Sequence, residues 1–182
     1  MIGPDILVHG TTIFAKAPRD RRFISWHQDA HNWRLDEPRL VTAWVALTRS
    51  NADNGCLRVV PGSHRRRLEH ESRPHPDNML ELTGLTVSDE VDLSEAVDVL
   101  LEPGQISLHH ADIVHGSGPN RSATRRVGFA IRYVDPAVGQ ESDHHPVVLA
   151  RGTDRHGNYE LLKRAPGRDV ERGLTAHAAF WR

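Results

Sequence analysis

Turn chemistry punctuates this chain so often that long helices have no room to form. Asp53-Asn54-Gly55, Pro61-Gly62-Ser63, Glu102-Pro103-Gly104 and the run 116–120 (Gly-Ser-Gly-Pro-Asn) each combine residues that favour tight reversals. Between such breaks lie short segments rich in β-branched and aromatic residues: 6–16, 24–29, 40–47, 57–60, 96–101, 106–110 and 126–134. Short alternating segments bounded by turns predict a mostly antiparallel, all-β fold of the sandwich, jelly-roll or barrel kind. Residues 65–95 are polar and read as a long loop with one helical turn. Residues 135–182 read as a polar C-terminal extension, in which Asp169 could cap a short helix over 170–180.

A length of 182 residues suits one domain with its own core. The 23 basic and 24 acidic side chains leave a net charge of −1, which argues against a nucleic-acid partner or a basic membrane surface. The clusters at 19–22 and 65–67 read as solvated loops. Only Lys16 and Lys163 are lysines, a bias that carries no functional weight. No apolar run approaches membrane-spanning length, and the first residues lack the order of a secretory signal, so the expected setting is the cytoplasm. Cys56 is the single cysteine, which rules out an intramolecular disulfide and a thiolate metal cage. The 13 histidines are then the available metal ligands.

Two stretches concentrate them. The first is WHQDAHNW, Trp26 to Trp33. On a strand His27 and Asp29 share a face while Gln28 points away. One imidazole and one carboxylate side by side are two thirds of a 2-His-1-carboxylate set, which leaves open positions on a non-haem iron. Alone the pair is weak, and an exposed strand with a histidine–aspartate hydrogen bond is the favoured reading. The second stretch is HHADIVHGSGPNRSATRRVGFAIRY, with His109, His110 and His115 before a glycine-rich turn and a strand opening at Arg126. An arginine returned to the same pocket can hold a carboxylate through two parallel hydrogen bonds. Ser117 lies in the turn between them.

Together WHQD, NGCLRVVPGSH and HGSGPN, with Arg126 eleven residues after His115, resemble the phytanoyl-CoA dioxygenase family of Fe(II)/2-oxoglutarate oxygenases over about residues 3–134. The resemblance implies a double-stranded β-helix, a cupin-like jelly roll with few short helices. It implies His27, Asp29 and His115 as iron ligands and catalytic centre. Arg126 and Ser117 would bind the distal carboxylate of 2-oxoglutarate, with Trp44 lining that pocket. The implied reaction is hydroxylation of a C–H bond in a small molecule, with O2 as second cosubstrate and succinate and CO2 released. A carboxylate at 29, where related halogenases carry a small residue, favours hydroxylation over halogenation. His31 and Trp33 are candidates for the substrate mouth, with a core role for Trp33 equally open. His64 is a candidate substrate contact. For His109 and His110, one of which must face the pocket, packing or surface roles are favoured. His144, His145, His156 and His177 read as surface residues.

Family members also carry an N-terminal portion, with helices and outer strands, ahead of the segment matching Gly3. This sequence does not contain it, and stability or homo-oligomer formation depends on what replaces it. The competing expectations are a non-catalytic β-helix module that binds metal and diacid, and a zinc hydrolase, for which Arg126 and HGSGPN are less apt.

Overall fold

The computed structural model of the protein describes residues 2–80, 83–141 and 145–162. In chain order the strands are β1 (Ile6–Lys16), β2 (Ile24–His27), β3 (Leu40–Ala46), β4 (Arg58–Val59), β5 (His70–Ser72), β6 (Leu85–Val87), β7 (Val97–Asp98), β8 (Ile106–His110), β9 (His115–Ser117), β10 (Arg126–Val134), β11 (Pro146–Arg151) and β12 (Glu160–Leu161). One short helix, α1 (Asp29–Asn32), follows β2. A six-stranded sheet runs β12-β11-β1-β10-β3-β8, a four-stranded sheet runs β2-β9-β4-β7, and β5 and β6 form a separate pair. This is the expected cupin-like jelly roll, with few helices.

β10 shows why the site is where it is. Its burial alternates strictly, so Arg126, Gly128, Ala130, Arg132 and Val134 face inward. β1 and β3 flank it antiparallel: Lys16 lies opposite Arg126, Thr42 opposite Arg132, and Trp44 opposite Ala130. A Cβ on Gly128 would collide with the Trp44 indole, so the glycine makes room for that ring on the inner face. At the other end of the sheet Leu7, Trp33, Leu35, Leu40, Val134 and Val147 form the largest buried apolar cluster. Fully burying one such side chain contributes about 1.5–3 kcal/mol.

Several expectations change. The strand predicted over 24–29 ends at His27, and Asp29 opens α1. Gln28 stays extended (φ −111°, ψ 128°), so the alternation persists and His27 and Asp29 still project together. The segment 65–95 is not one loop: His70 pairs with Val87 and Ser72 with Leu85. Residues 146–151 are not an extension; Leu7 pairs with Leu149 and Val8 with Val148 on the free side of β1. His145 is correspondingly buried, its ring stacked 4.0 Å from His9 and its Nε2 2.8 Å from the His9 carbonyl. His156 is exposed as expected. His144, His177 and the 170–180 helix lie outside the described residues.

Candidate metal centre and cosubstrate pocket

β2 and β9 pair so that His27 and His115 are direct cross-strand partners. Their rings lie 4.2 Å apart, centroid to centroid. Asp29 Oδ1 is 3.6 Å from His27 Nε2 and 3.9 Å from His115 Nε2. One donor atom from each of the three residues lies within 4.8 Å of the others, and all three residues are buried. The outward nitrogens are already engaged: His27 Nδ1 is 2.8 Å from the Ser25 carbonyl, and His115 Nδ1 is 3.0 Å from that of Ile113. Each carbonyl fixes the Nδ1–H tautomer and leaves an Nε2 lone pair facing the centre, as metal-binding histidines require.

Asp29 is oriented by its other oxygen. Thr42 Oγ1 donates to Oδ2 at 2.7 Å, while Arg132 Nε and His109 Nε2 each lie 3.9 Å from it. Burial disfavours the charged carboxylate, but Arg132 and the His27 and His115 rings outweigh it and hold Asp29 well below the usual range. Burial, with His27 second, pushes His115 well below the ordinary histidine value, which keeps its ring neutral. A carboxylate and two imidazoles whose Nε2 atoms face one centre are a donor set that fits Fe(II).

The same cavity continues to Arg126, and its wall includes Trp44, Leu57, Ser117 and Phe14. Arg126 is 1% exposed and donates through Nε at 3.2 Å, and through Nη2, to the Gly55 carbonyl. Gly55 adopts a positive φ of 72°, and a side chain there would strike the Gly118 and Pro119 carbonyls. The NGC turn thus has a glycine at its tightest point. Trp44 lies 5.2 Å from the Arg126 guanidinium carbon, a stacking worth about 0.5–2 kcal/mol. Arg125 is exposed, as alternation requires.

The structure therefore brings together His27, Asp29, His115, Arg126, Ser117 and Trp44. Trp33 is core, with Arg132 5.0 Å from its ring. His31 stacks 4.1 Å from His70 and lines a separate outer cavity with Arg34, Arg67 and Gln140. His64 is exposed and packs 5.5 Å from His110, away from the centre. His109, for which packing or surface was favoured, faces the pocket, and neither ring nitrogen has a hydrogen-bond partner among the described residues. Sequence reasoning missed Lys16, Thr42 and Arg132. The signal was the two-residue period, which puts Thr42 with Trp44 and Arg132 with Arg126.

No helix among the described residues is long and apolar enough to cross a membrane. The peroxisomal phytanoyl-CoA dioxygenase of Bos taurus is 28% identical over 137 residues, which covers 73% of this chain and 41% of that protein. A probable alpha-ketoglutarate-dependent hypophosphite dioxygenase of Stutzerimonas stutzeri is 28% identical over 163 residues, 88% of this chain and 53% of that one. The chain thus spans about half the length of these curated relatives. Among solved structures, the non-heme monooxygenase ThoJ superposes with a TM-score of 0.82 at 33% identity, covering 99% of this chain and 65% of ThoJ. The sequence profile of the phytanoyl-CoA dioxygenase family matches residues 2–128, and the chain belongs to that family.

Proposed function

We propose that this chain carries the catalytic centre of an Fe(II)- and 2-oxoglutarate-dependent dioxygenase that hydroxylates a C–H bond of a small molecule and releases succinate and CO2. One observation carries the reading. Three inward-facing metal donors share a cavity with a buried arginine that forms no ion pair among the described residues. A 2-oxo diacid needs that combination, a chelation site at one end and a carboxylate receptor at the other.

His27, Asp29 and His115 would hold the iron. Bound there, iron and 2-oxoglutarate supply O2 activation coupled to oxidative decarboxylation. The rest falls to the protein. Thr42 and Arg132 hold the Asp29 outer oxygen, so Oδ1 is the atom presented to the metal. Arg126, braced on the Gly55 carbonyl, receives the distal carboxylate, and the Trp44 ring keeps water from the guanidinium face. The 65–95 segment reaches the metal cavity through Leu80, and with Gln140 from beyond β10 it walls the separate outer cavity. Those two segments select the substrate.

The test is anaerobic addition of Fe(II) and 2-oxoglutarate, followed by its metal-to-ligand charge-transfer absorption. A band is expected, together with slow O2-dependent succinate formation in the absence of substrate. No band would overturn the reading. A band without any succinate would mark a binding module in place of an enzyme.

A further inference from the structure

β1 ends with Lys16 as the cross-strand neighbour of Arg126, and the two side chains are 0% and 1% exposed. Two cations buried side by side are costly unless anions or acceptors compensate. Among the described residues neither forms an ion pair, and Asp20, the acid nearest in sequence, is engaged by Arg22 at 2.6 Å. The Lys16 ammonium is met instead by three oxygens of the β9 turn: Ser117 Oγ at 2.7 Å, the Gly118 carbonyl at 2.5 Å and the Ser117 carbonyl at 3.4 Å. Lys16 does not line the cavity, whereas Ser117 does.

An ammonium only donates, so Ser117 Oγ must accept from it. The serine's own hydrogen is then free to turn toward the cavity, where it meets whatever Arg126 holds. We propose that Lys16 is a positioning residue for the distal carboxylate of the cosubstrate, aiming the Ser117 hydroxyl at it and adding a second positive charge behind it. This rests on the cosubstrate assignment made above. Burial first, and Arg126 second, press the Lys16 ammonium down to about 7, so an arriving carboxylate also favours its charged form.

The test compares two 2-oxo acids that chelate iron alike and differ in the distal carboxylate, 2-oxoglutarate and 2-oxobutyrate. Both are titrated into the anaerobic Fe(II) protein by the charge-transfer band. The wild-type protein should prefer 2-oxoglutarate strongly. Lys16→Met should reduce that preference about tenfold, the scale of one charge-assisted hydrogen bond, with 2-oxobutyrate affinity unchanged to within about twofold. Lys16→Gln, which keeps a donor for Ser117 without the charge, should lose less. It also serves if the apolar variant does not fold among the carbonyls. Ser117→Ala, with the lysine intact, should reproduce the selective loss. Equal losses for the two acids would reduce Lys16 to a structural role, and an unchanged preference in any of the three variants would overturn the proposal. A wild-type protein that binds both acids equally would instead overturn the cosubstrate assignment itself.

Discussion

Around the cavity, the two faces of the six-stranded sheet reverse the usual arrangement. The inner face carries Lys16, Thr42, His109, Arg126 and Arg132, each buried or nearly so. The outer face aligns Ile13, Phe129, Val45 and Ile106 across four strands, with Ile131, Ala43 and Leu108 in the next row. Ile13, Leu108 and Ile106 are 64%, 63% and 55% exposed. An antiparallel sheet normally buries its apolar side. Here that holds at the Leu7, Leu40 and Val134 end, while the Arg126 end of the buried side lines a cavity in which charges are held by their neighbours. Changes on the inner face should therefore be read out in ligand binding, and changes on the outer face in little that concerns this site.

The largest effect is expected at Asp29, the proposed metal donor and the acceptor for Thr42. Asp29→Ala should weaken Fe(II) binding by at least about 100-fold, since even outer-shell partners of metal ligands are worth about 10–100-fold. Metal titration with and without 2-oxoglutarate measures it, and the charge-transfer band should vanish. Wild-type iron affinity in this variant would mean the carboxylate is not a ligand.

Arg126 comes next, against Arg125 one residue away. Arg126→Lys keeps the charge and loses the planar fork, so 2-oxoglutarate affinity should fall about tenfold or more. Arg125→Lys, on the exposed side of the strand, should alter it by less than about twofold. Comparable losses in both would show that the pocket does not depend on the alternation of β10.

That alternation is the most legible part of the molecule. The strands at 6–16, 106–110 and 126–134 run as their pattern predicts, because the long alternating stretches 6–16 and 126–134 leave the period plain and 106–110 is bounded by turn chemistry. β9 is not legible: His115-Gly116-Ser117 reads as turn chemistry, and it is a strand only because β2 and β4 pair on either side of it. β11 hides in a polar context for the same reason, having β1 as its partner. The triad is a different case. His27 and Asp29 alone do not outweigh a plain hydrogen-bonded pair, and the ordered family motifs make the assignment. Lys16 escapes because a lysine closing a strand ordinarily reaches solvent. Its scarcity in an arginine-rich chain is visible, but nothing local says it is buried under a turn a hundred residues away.

A moderate effect is expected at Gly128. Its φ is not in the left-handed region, so the demand is purely spatial: a methyl there falls on the Trp44 indole. Gly128→Ala should cost about 1–3 kcal/mol of stability, the usual range for overpacking a filled interior. It should also weaken 2-oxoglutarate, because the ring it displaces covers Arg126. Thermal melts and the charge-transfer titration on one sample separate the two losses. A stable variant with unchanged affinity would show that Trp44 can move without consequence.

The smallest effect is expected on the outer face. Leu108 sits on β8, the edge strand of the sheet, opposite Ala43. The next residue, His109, lines the pocket, so a single step along β8 separates the solvent-facing leucine from the metal cavity. Leu108→Thr brings in the β-branching suited to a strand and removes apolar surface that the fold leaves in water. Its stability change should stay within about 0.5 kcal/mol, as for other exposed positions. Its 2-oxoglutarate affinity should match the wild type, because the side chain points away from every residue that binds. Chemical denaturation and the same titration decide it. A loss of cosubstrate affinity at Leu108 would mean that the two faces are coupled through the strand, and that the outer apolar rows hold the inner residues in place.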